Sequence, residues 1–212
     1  MTVFRLVLAA AVAAGALMAA DSVRAQTVIE EWNSAKAPPP PEVKAVTVDP
    51  KKTALLVMDF NKNGCTPERR ARCVAALPKV QKILNEARAK GMLVIHTLSG
   101  TTKPPDIVTE LTPKNGERAF NAPIDKFYNN DLEKTFKDRG IDTVILTGTS
   151  SNGAVLFTAG GAAVRGFKVI VPVDGMPGDG VYQEQFAAWN IANGPTVREK
   201  STLTKIDMIS FK

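Results

Sequence analysis

Apolar residues along the chain come in two rhythms. Four apolar-rich runs read as strands buried on both faces of a sheet: Thr53-Ala54-Leu55-Leu56-Val57-Met58, Met92 to Thr97, Thr143-Val144-Ile145-Leu146 and Phe167 to Val173. Between the first two, Val74 to Lys90 places Leu77, Val80, Ile83, Leu84 and Ala87 at helical spacing and stops at Gly91. Asp131 to Arg139, ended by Gly140, and Val181 to Asn193 read as further helices. Ser99 to Pro123 is loop-rich, with Ile107 to Leu111 as its one expected helical turn, and Leu203 to Ile209 closes the pattern as a strand or short helix. Strands that alternate with helices, with crossovers long enough for a right-handed return, predict a three-layer α/β/α sandwich. Its central sheet should be mostly parallel, with about six strands.

The stretch from Ile141 to Phe167 carries the densest signals. Its strand is punctuated by Gly148, after which Thr149-Ser150-Ser151-Asn152 offers side chains suited to capping a helix. The helix that follows is rich in small residues, including the adjacent Gly160 and Gly161. Two glycines inside a helix cost about 1 kcal/mol each relative to alanine, and their plain use is to let the helix lie close on the sheet. The carboxyl end of a parallel strand meeting a helix N-terminus is where such folds place ligands.

The N-terminus changes the picture. Arg5 supplies a short positive region, Leu6 to Ala20 an apolar run, and Val23-Arg24-Ala25 offers small residues at the two positions a signal peptidase reads. The run is short for a spanning helix and mostly alanine, so residues 1–25 are expected to be a cleaved signal peptide and not a membrane anchor. The mature protein would be secreted or periplasmic and begin near Gln26. Residues 26–48, with Pro38-Pro39-Pro40-Pro41, read as an extended Pro-rich arm. Residues 49–212 form the single domain expected of 212 residues with 44% hydrophobic content.

Without Arg5, Arg24 and Asp21, the 27 basic and 21 acidic residues fall to 25 and 20, a net +5. The basic residues are scattered, which argues against nucleic acid as a partner; a mild preference for small anions fits the charge. No membrane contact is expected after signal cleavage, and a homo-oligomer is expected. Cys65 and Cys73 share one loop of an exported chain, so a disulfide is expected, worth about 2–3 kcal/mol at most. The lone histidine, His96, is distant in sequence from both cysteines, and no zinc-type spacing is present.

Asp59 ends the first strand and places a carboxylate at the carboxyl edge of the sheet, although Asp at a strand end also forms turns. Lys126, between apolar neighbours in Ile124-Asp125-Lys126-Phe127-Tyr128, reads by itself as a snorkelling surface lysine. Gly148-Thr149-Ser150-Ser151-Asn152 lacks the second glycine of a nucleophile elbow, and His96 lies upstream of the serine, which argues against that triad.

Together ALLVMDF, APIDKFYNNDLEKTFKDRGIDTVILTG and GTSSNGAVLFTA, followed by AAVRGFKVIVPVDG, resemble the isochorismatase-like hydrolase superfamily. That superfamily, with its cysteine-hydrolase fold, also holds nicotinamidases and N-carbamoylsarcosine amidohydrolases. The resemblance runs from Thr53 to about Val173 and implies that Asp59 and Lys126 are the catalytic acid–base pair. Ala154 falls where most members carry the nucleophilic cysteine. A methyl group cannot attack a carbonyl, so the acyl-enzyme route is closed. Members that cleave isochorismate also lack this cysteine and use the Asp as an acid. The loop Phe60-Asn61-Lys62-Asn63 departs from the family's D-x-Q-N-D-F. The second strand lacks the Asp and paired His that bind metal in nicotinamidases, so neither metal nor other cofactor is expected. The turn amides of Asn152, Gly153 and Ala154, with Ser150 beside them, are candidates for binding an oxyanion or a substrate carboxylate.

Three function classes follow. The first is an exported hydrolase of a small metabolite, using Asp59, Lys126 and water without a covalent thiol intermediate. The second is a catalytically silent small-molecule-binding member of the same fold. The third is an amidase that recruits Cys65 or Ser150.

Overall fold

The computed structural model describes residues 27–114 and 116–212; the expected signal peptide, 1–25, lies outside them. The chain divides into two units, Met1–Ala37 and Pro38–Lys212. In the first, Val28–Glu31 forms a helical turn, α1. Thr27 accepts from Ile29 N at 3.3 Å, and Glu30 accepts from Thr27 N at 2.7 Å. This capping box interrupts the arm that the sequence suggested was wholly extended. Pro38 to Ala45 has no regular structure, and the arm's last residues, Val46–Val48, form strand β1 of the second unit.

The second unit is built on a six-stranded parallel sheet: β2 (Thr53–Met58), β3 (Leu93–Leu98), β4 (Arg118–Asn121), β5 (Thr143–Gly148), β6 (Lys168–Pro172) and β7 (Ser201–Thr204). Their spatial order is β4-β3-β2-β5-β6-β7, with every neighbouring pair parallel. Beside it, β1 pairs in parallel with β8 (Ile209–Phe211), Val46 opposite Ile209. Alternate residues of the central strands enter two separate cores, as the period of two requires. Leu55, Val57, Val94, Leu98, Ile145 and Ile170 meet helix α2 (Pro67–Ala89) through Leu77, Val80, Ile83 and Leu84. Leu56, Met58, Ile95, Val144, Leu146 and Val169 face the other way. There they meet α3 (Leu132–Asp138), α4 (Leu156–Val164) and α5 (Val181–Asn193). This is the three-layer α/β/α sandwich that the pattern predicted.

The differences are local. Helix α2 starts at Pro67, seven residues before the apolar periodicity begins. Thr66 Oγ1 accepts from Arg69 N at 3.2 Å, Pro67 opens the turn, and Arg70 then breaks it at φ −150°, ψ 74°. The region read as loop before Pro123 contains the edge strand β4, which is short and only half-buried and so lacks an apolar run. A four-residue helix, α6 (Val197–Lys200), leads into β7. From β2 the chain builds outward to β3 and β4, then returns to β5 and builds the other way. The switch point therefore lies between the carboxyl ends of β2 and β5, where an open α/β sheet leaves a crevice.

Candidate active site at the switch point

Asp59 follows the last residue of β2 and adopts φ +59°, a left-handed conformation that Asp tolerates better than most residues at a cost of about 1 kcal/mol. Its amide donates to Thr97 O on β3 (3.0 Å), and Thr97 Oγ1 donates to Asp59 Oδ1 (2.9 Å). Lys126 Nζ donates to Asp59 Oδ2 at 2.7 Å and to Ala122 O at 3.3 Å. Lys126 is fully buried, which corrects its reading as a snorkelling surface residue. Its neighbours explain this. Phe127 stacks in a cluster with Phe136 and Phe167, with ring centroids 5.6–5.8 Å apart, and Lys126 N donates to Thr158 Oγ1 of α4 at 3.2 Å. Burial pushes the Asp59 carboxyl above the ordinary aspartate range, against the opposing pull of the Lys126 ammonium and the Thr97 hydroxyl.

The second wall comes from the end of β5. A Cβ on Gly148 would lie 2.8 Å from Met58 Cβ, so only glycine lets β5 run this close to β2 at the crevice. The turn that follows is wider than a helix start. Ser151–Val155 forms a π-type turn in which Gly153 takes φ −113°, ψ −106°, before α4 begins at Leu156. No side chain of Thr149 to Asn152 caps it, contrary to the capping role expected of them. Gly153 N is engaged within the turn, donating to Ser150 O at 3.1 Å.

These parts enclose one cavity of about 620 Å³. Asp59, Lys126, Ser150, Gly153 and Ala154 line it; Asn152 does not. Ala154 is only 5% exposed and is one of the residues that line this cavity. Sequence reasoning missed Arg69 and Arg70, which line the same cavity from the start of α2. Their signal was available in Arg69-Arg70-Ala71-Arg72, a cationic run shortly after Asp59. The adjacent glycines of α4 also have a different use from the one expected. Gly160 faces open space, whereas a Cβ on Gly161 would collide with the carboxylate of Asp125, beside Lys126. The close approach is to the lysine-bearing loop and not to the sheet.

Cys65 and Cys73 are disulfide-bonded, with Cα atoms 5.3 Å apart, so among the described residues no thiol is free. That closes the route through a Cys65 nucleophile. His96 is buried on β3, and its Nε2 lies 2.9 Å from Glu117 Oε2, so it does not serve Ser150. Glu117 also receives Arg88 Nε at 2.7 Å and Nη2 at 2.8 Å. Burial is the strongest single influence on Glu117 and acts upward. The hydrogen bonds from Arg88, Lys114 N and His96 together outweigh it and hold the carboxyl at about 2. Among the described residues, no group of three His, Cys, Asp or Glu side chains is placed to hold a metal ion.

The isochorismatase domain model matches residues 53–201. The chain belongs to this family. A secreted isochorismatase effector of Verticillium dahliae is 29% identical over 111 residues, 47% of this chain and 58% of that protein. An N-carbamoylsarcosine amidase from Arthrobacter is 31% identical over 124 residues, 45% of this chain and 47% of that protein. The chain thus spans about half the length of these two family relatives. An isochorismatase-like hydrolase from Alkaliphilus metalliredigens superposes with a TM-score of 0.66 at 25% identity, covering 74% of this chain and 95% of that one. Among the described residues no helix is long and apolar enough to cross a membrane.

Proposed function

We propose that the protein is an exported, non-thiol hydrolase of a small metabolite, with Asp59 as acid, Lys126 as its electrostatic partner and water as nucleophile. The observation that carries this is the buried Asp59–Lys126 pair opening on the cavity at the sheet's switch point. A carboxyl pushed upward by burial holds its proton closer to neutral pH, which suits a general acid. On a vinyl ether, Asp59 would protonate the terminal vinyl carbon. Water would then add to the resulting oxocarbenium carbon, its surplus proton returning to Asp59. Collapse of the hemiketal would release an alcohol and a ketone. No covalent enzyme intermediate is needed, which suits an alanine at the position that resembles the family's cysteine.

Export rests on the leader pattern of residues 1–25 and on the likeness to a secreted relative. The silent-binder reading differs in one measurable respect, turnover. Incubation of the mature protein with isochorismate, followed by detection of released pyruvate, tests the proposal. Turnover by the wild type that vanishes in Asp59→Asn is the expected result, and equal release by both proteins would refute it.

A further inference from the structure

We infer that Arg69 and Arg70 form an anion-binding wall of this cavity and select a small carboxylate, seating its charged end against the two guanidiniums. The inference rests on reading the cavity as the substrate site, and it assigns the substrate class through residues that the acid–base chemistry does not use.

Four charged side chains line the cavity: Asp59, Lys126, Arg69 and Arg70. Lys126 pairs with Asp59 at 2.7 Å, which leaves two guanidiniums facing no carboxylate of the lining itself; Arg70 is paired with Asp179, which lies outside the lining, and keeps free N–H donors. Arg70 is anchored, with its side chain 19% exposed. Its Nε donates to Asp179 Oδ1 at 2.6 Å, and its Nη1 donates to Thr149 Oγ1 at 2.6 Å. The second bond ties the guanidinium to the turn that carries Ser150. A guanidinium has five N–H donors, so most of Arg70's capacity remains for a ligand. Arg69 Nη1 donates to Asn63 O at 3.2 Å, and among the described residues no carboxylate lies within ion-pairing distance of it.

Backbone geometry then explains how two successive arginines reach one cavity. On a regular helix, neighbouring side chains point about 100° apart. The break at Arg70 removes that constraint, so both side chains line the same space. The Cys65–Cys73 disulfide brackets this break, and both of its ends are buried. The wall is therefore held at both ends by a covalent clip. Two planar forks recognise a carboxylate bidentately, which ammonium groups do not.

Calorimetric titration of the mature protein with benzoate and with benzamide, which share a ring and differ in charge, tests the inference. Wild type should bind benzoate roughly tenfold more tightly than benzamide, as a charge-assisted pair predicts. Arg69→Gln and Arg70→Gln should each weaken benzoate severalfold, and the double variant should bind the two ligands equally. Circular dichroism and the melting temperature identify any variant that has not folded. Arg70→Lys, which keeps the charge and loses the fork, then takes its place and should fall between wild type and the glutamine variant. Equal binding of both ligands by wild type, absence of benzoate binding, or a benzoate preference that survives the double variant would each overturn the inference. Asp59→Asn separates it from the hydrolase reading. That variant should keep its benzoate preference while losing turnover, and turnover that persists would sink the hydrolase reading alone.

Discussion

Lys126 Nζ lies 2.7 Å from Asp59 Oδ2 in a fully buried position, although 67 residues separate the two in the chain. Burying such a pair costs several kcal/mol per ion before the attraction is counted, so it is poor evidence for a stabilising role. Its place at the mouth of the switch point makes more sense as chemistry. The fold supplies the pair from two sides: Asp59 from the end of β2, and Lys126 from a loop pinned by the phenylalanine cluster and by Thr158 of α4.

Asp59→Asn should lower kcat/KM by about 10²–10⁴, the usual contribution of a positioned acid. In the wild type, activity should fall as pH rises through the Asp59 pKa, which burial places above 3.8. That limb should vanish with the carboxyl. A pH–rate profile whose shape is the same in both proteins would remove Asp59 from the acid role.

Lys126→Met leaves a buried carboxylate without its partner and should cost about 3–5 kcal/mol at neutral pH. The sign with pH follows from Asp59, whose folded-state pKa is already raised and rises further without the lysine. Stability tied to its protonated form is complete below the unfolded value and is lost as pH rises through the folded value. Denaturant melts should therefore show the deficit of the variant shrinking as pH falls toward 3.8. A deficit independent of pH would mean that the damage comes from packing.

The two glycines of α4 should respond in opposite ways. Gly160→Ala meets open space and should stabilise by up to about 1 kcal/mol through helix propensity. Gly161→Ala drives a methyl into the Asp125 carboxylate, which holds Phe127 N at 3.0 Å, and should cost about 1–3 kcal/mol. Because Asp125 adjoins Lys126, activity should fall with it. Thermal melts and kcat measurements on the pair decide this, and equal effects would place the close approach elsewhere.

Much of this architecture was legible in the sequence because its signals are local. Six uncharged residues ending on Asp59, helical spacing from Leu77 to Ala87 and the turn after Gly148 all reflect burial within short stretches. What escaped depends on long-range partners. The burial of Lys126 rests on Phe127 meeting Phe136 and Phe167, which no spacing rule reveals. Among the described residues, strand β4 pairs only with β3, and it carries no apolar alternation. Arg69 and Arg70 came to line the same cavity through one non-helical dihedral pair at Arg70. The turn after β5 looked like a capped helix start, yet the fold uses a π-type turn there and leaves Ser151 Oγ buried without a partner.

Away from the site, Glu117 should govern acid stability. Its carboxyl is held at about 2, below the ordinary glutamate value of 4.5, so its contribution is complete above 4.5 and is lost as pH falls toward 2. Glu117→Gln removes the charge and one of the two oxygens that accept from Arg88 and face His96, and should cost about 3 kcal/mol at neutral pH. Melting temperatures from pH 7 down to 2 should converge for the two proteins at the acid end. Curves that stay parallel would assign the acid transition to other carboxylates.

The last prediction concerns Ala154, which shares the cavity with Lys126 just before α4 begins. Ala154→Cys would place a sulfur at the start of that helix, where the helix dipole and the ammonium both favour a thiolate. Ala154 is only 5% exposed, so the added atom should cost about 1–3 kcal/mol and still leave a fold that can be assayed. The engineered thiol should react with iodoacetamide faster than free cysteine at neutral pH, and the native disulfide should contribute no background alkylation. Hydrolysis of nicotinamide-like amides should nevertheless stay absent, because the loop after Asp59 and the two arginines shape the cavity for an anion. A sluggish thiol would show that Ala154 serves packing and that its match to the family's cysteine is misplaced. A fast thiol accompanied by full amidase activity would show that one residue separates this site from a thiol hydrolase, and the non-thiol reading of the cavity would fall.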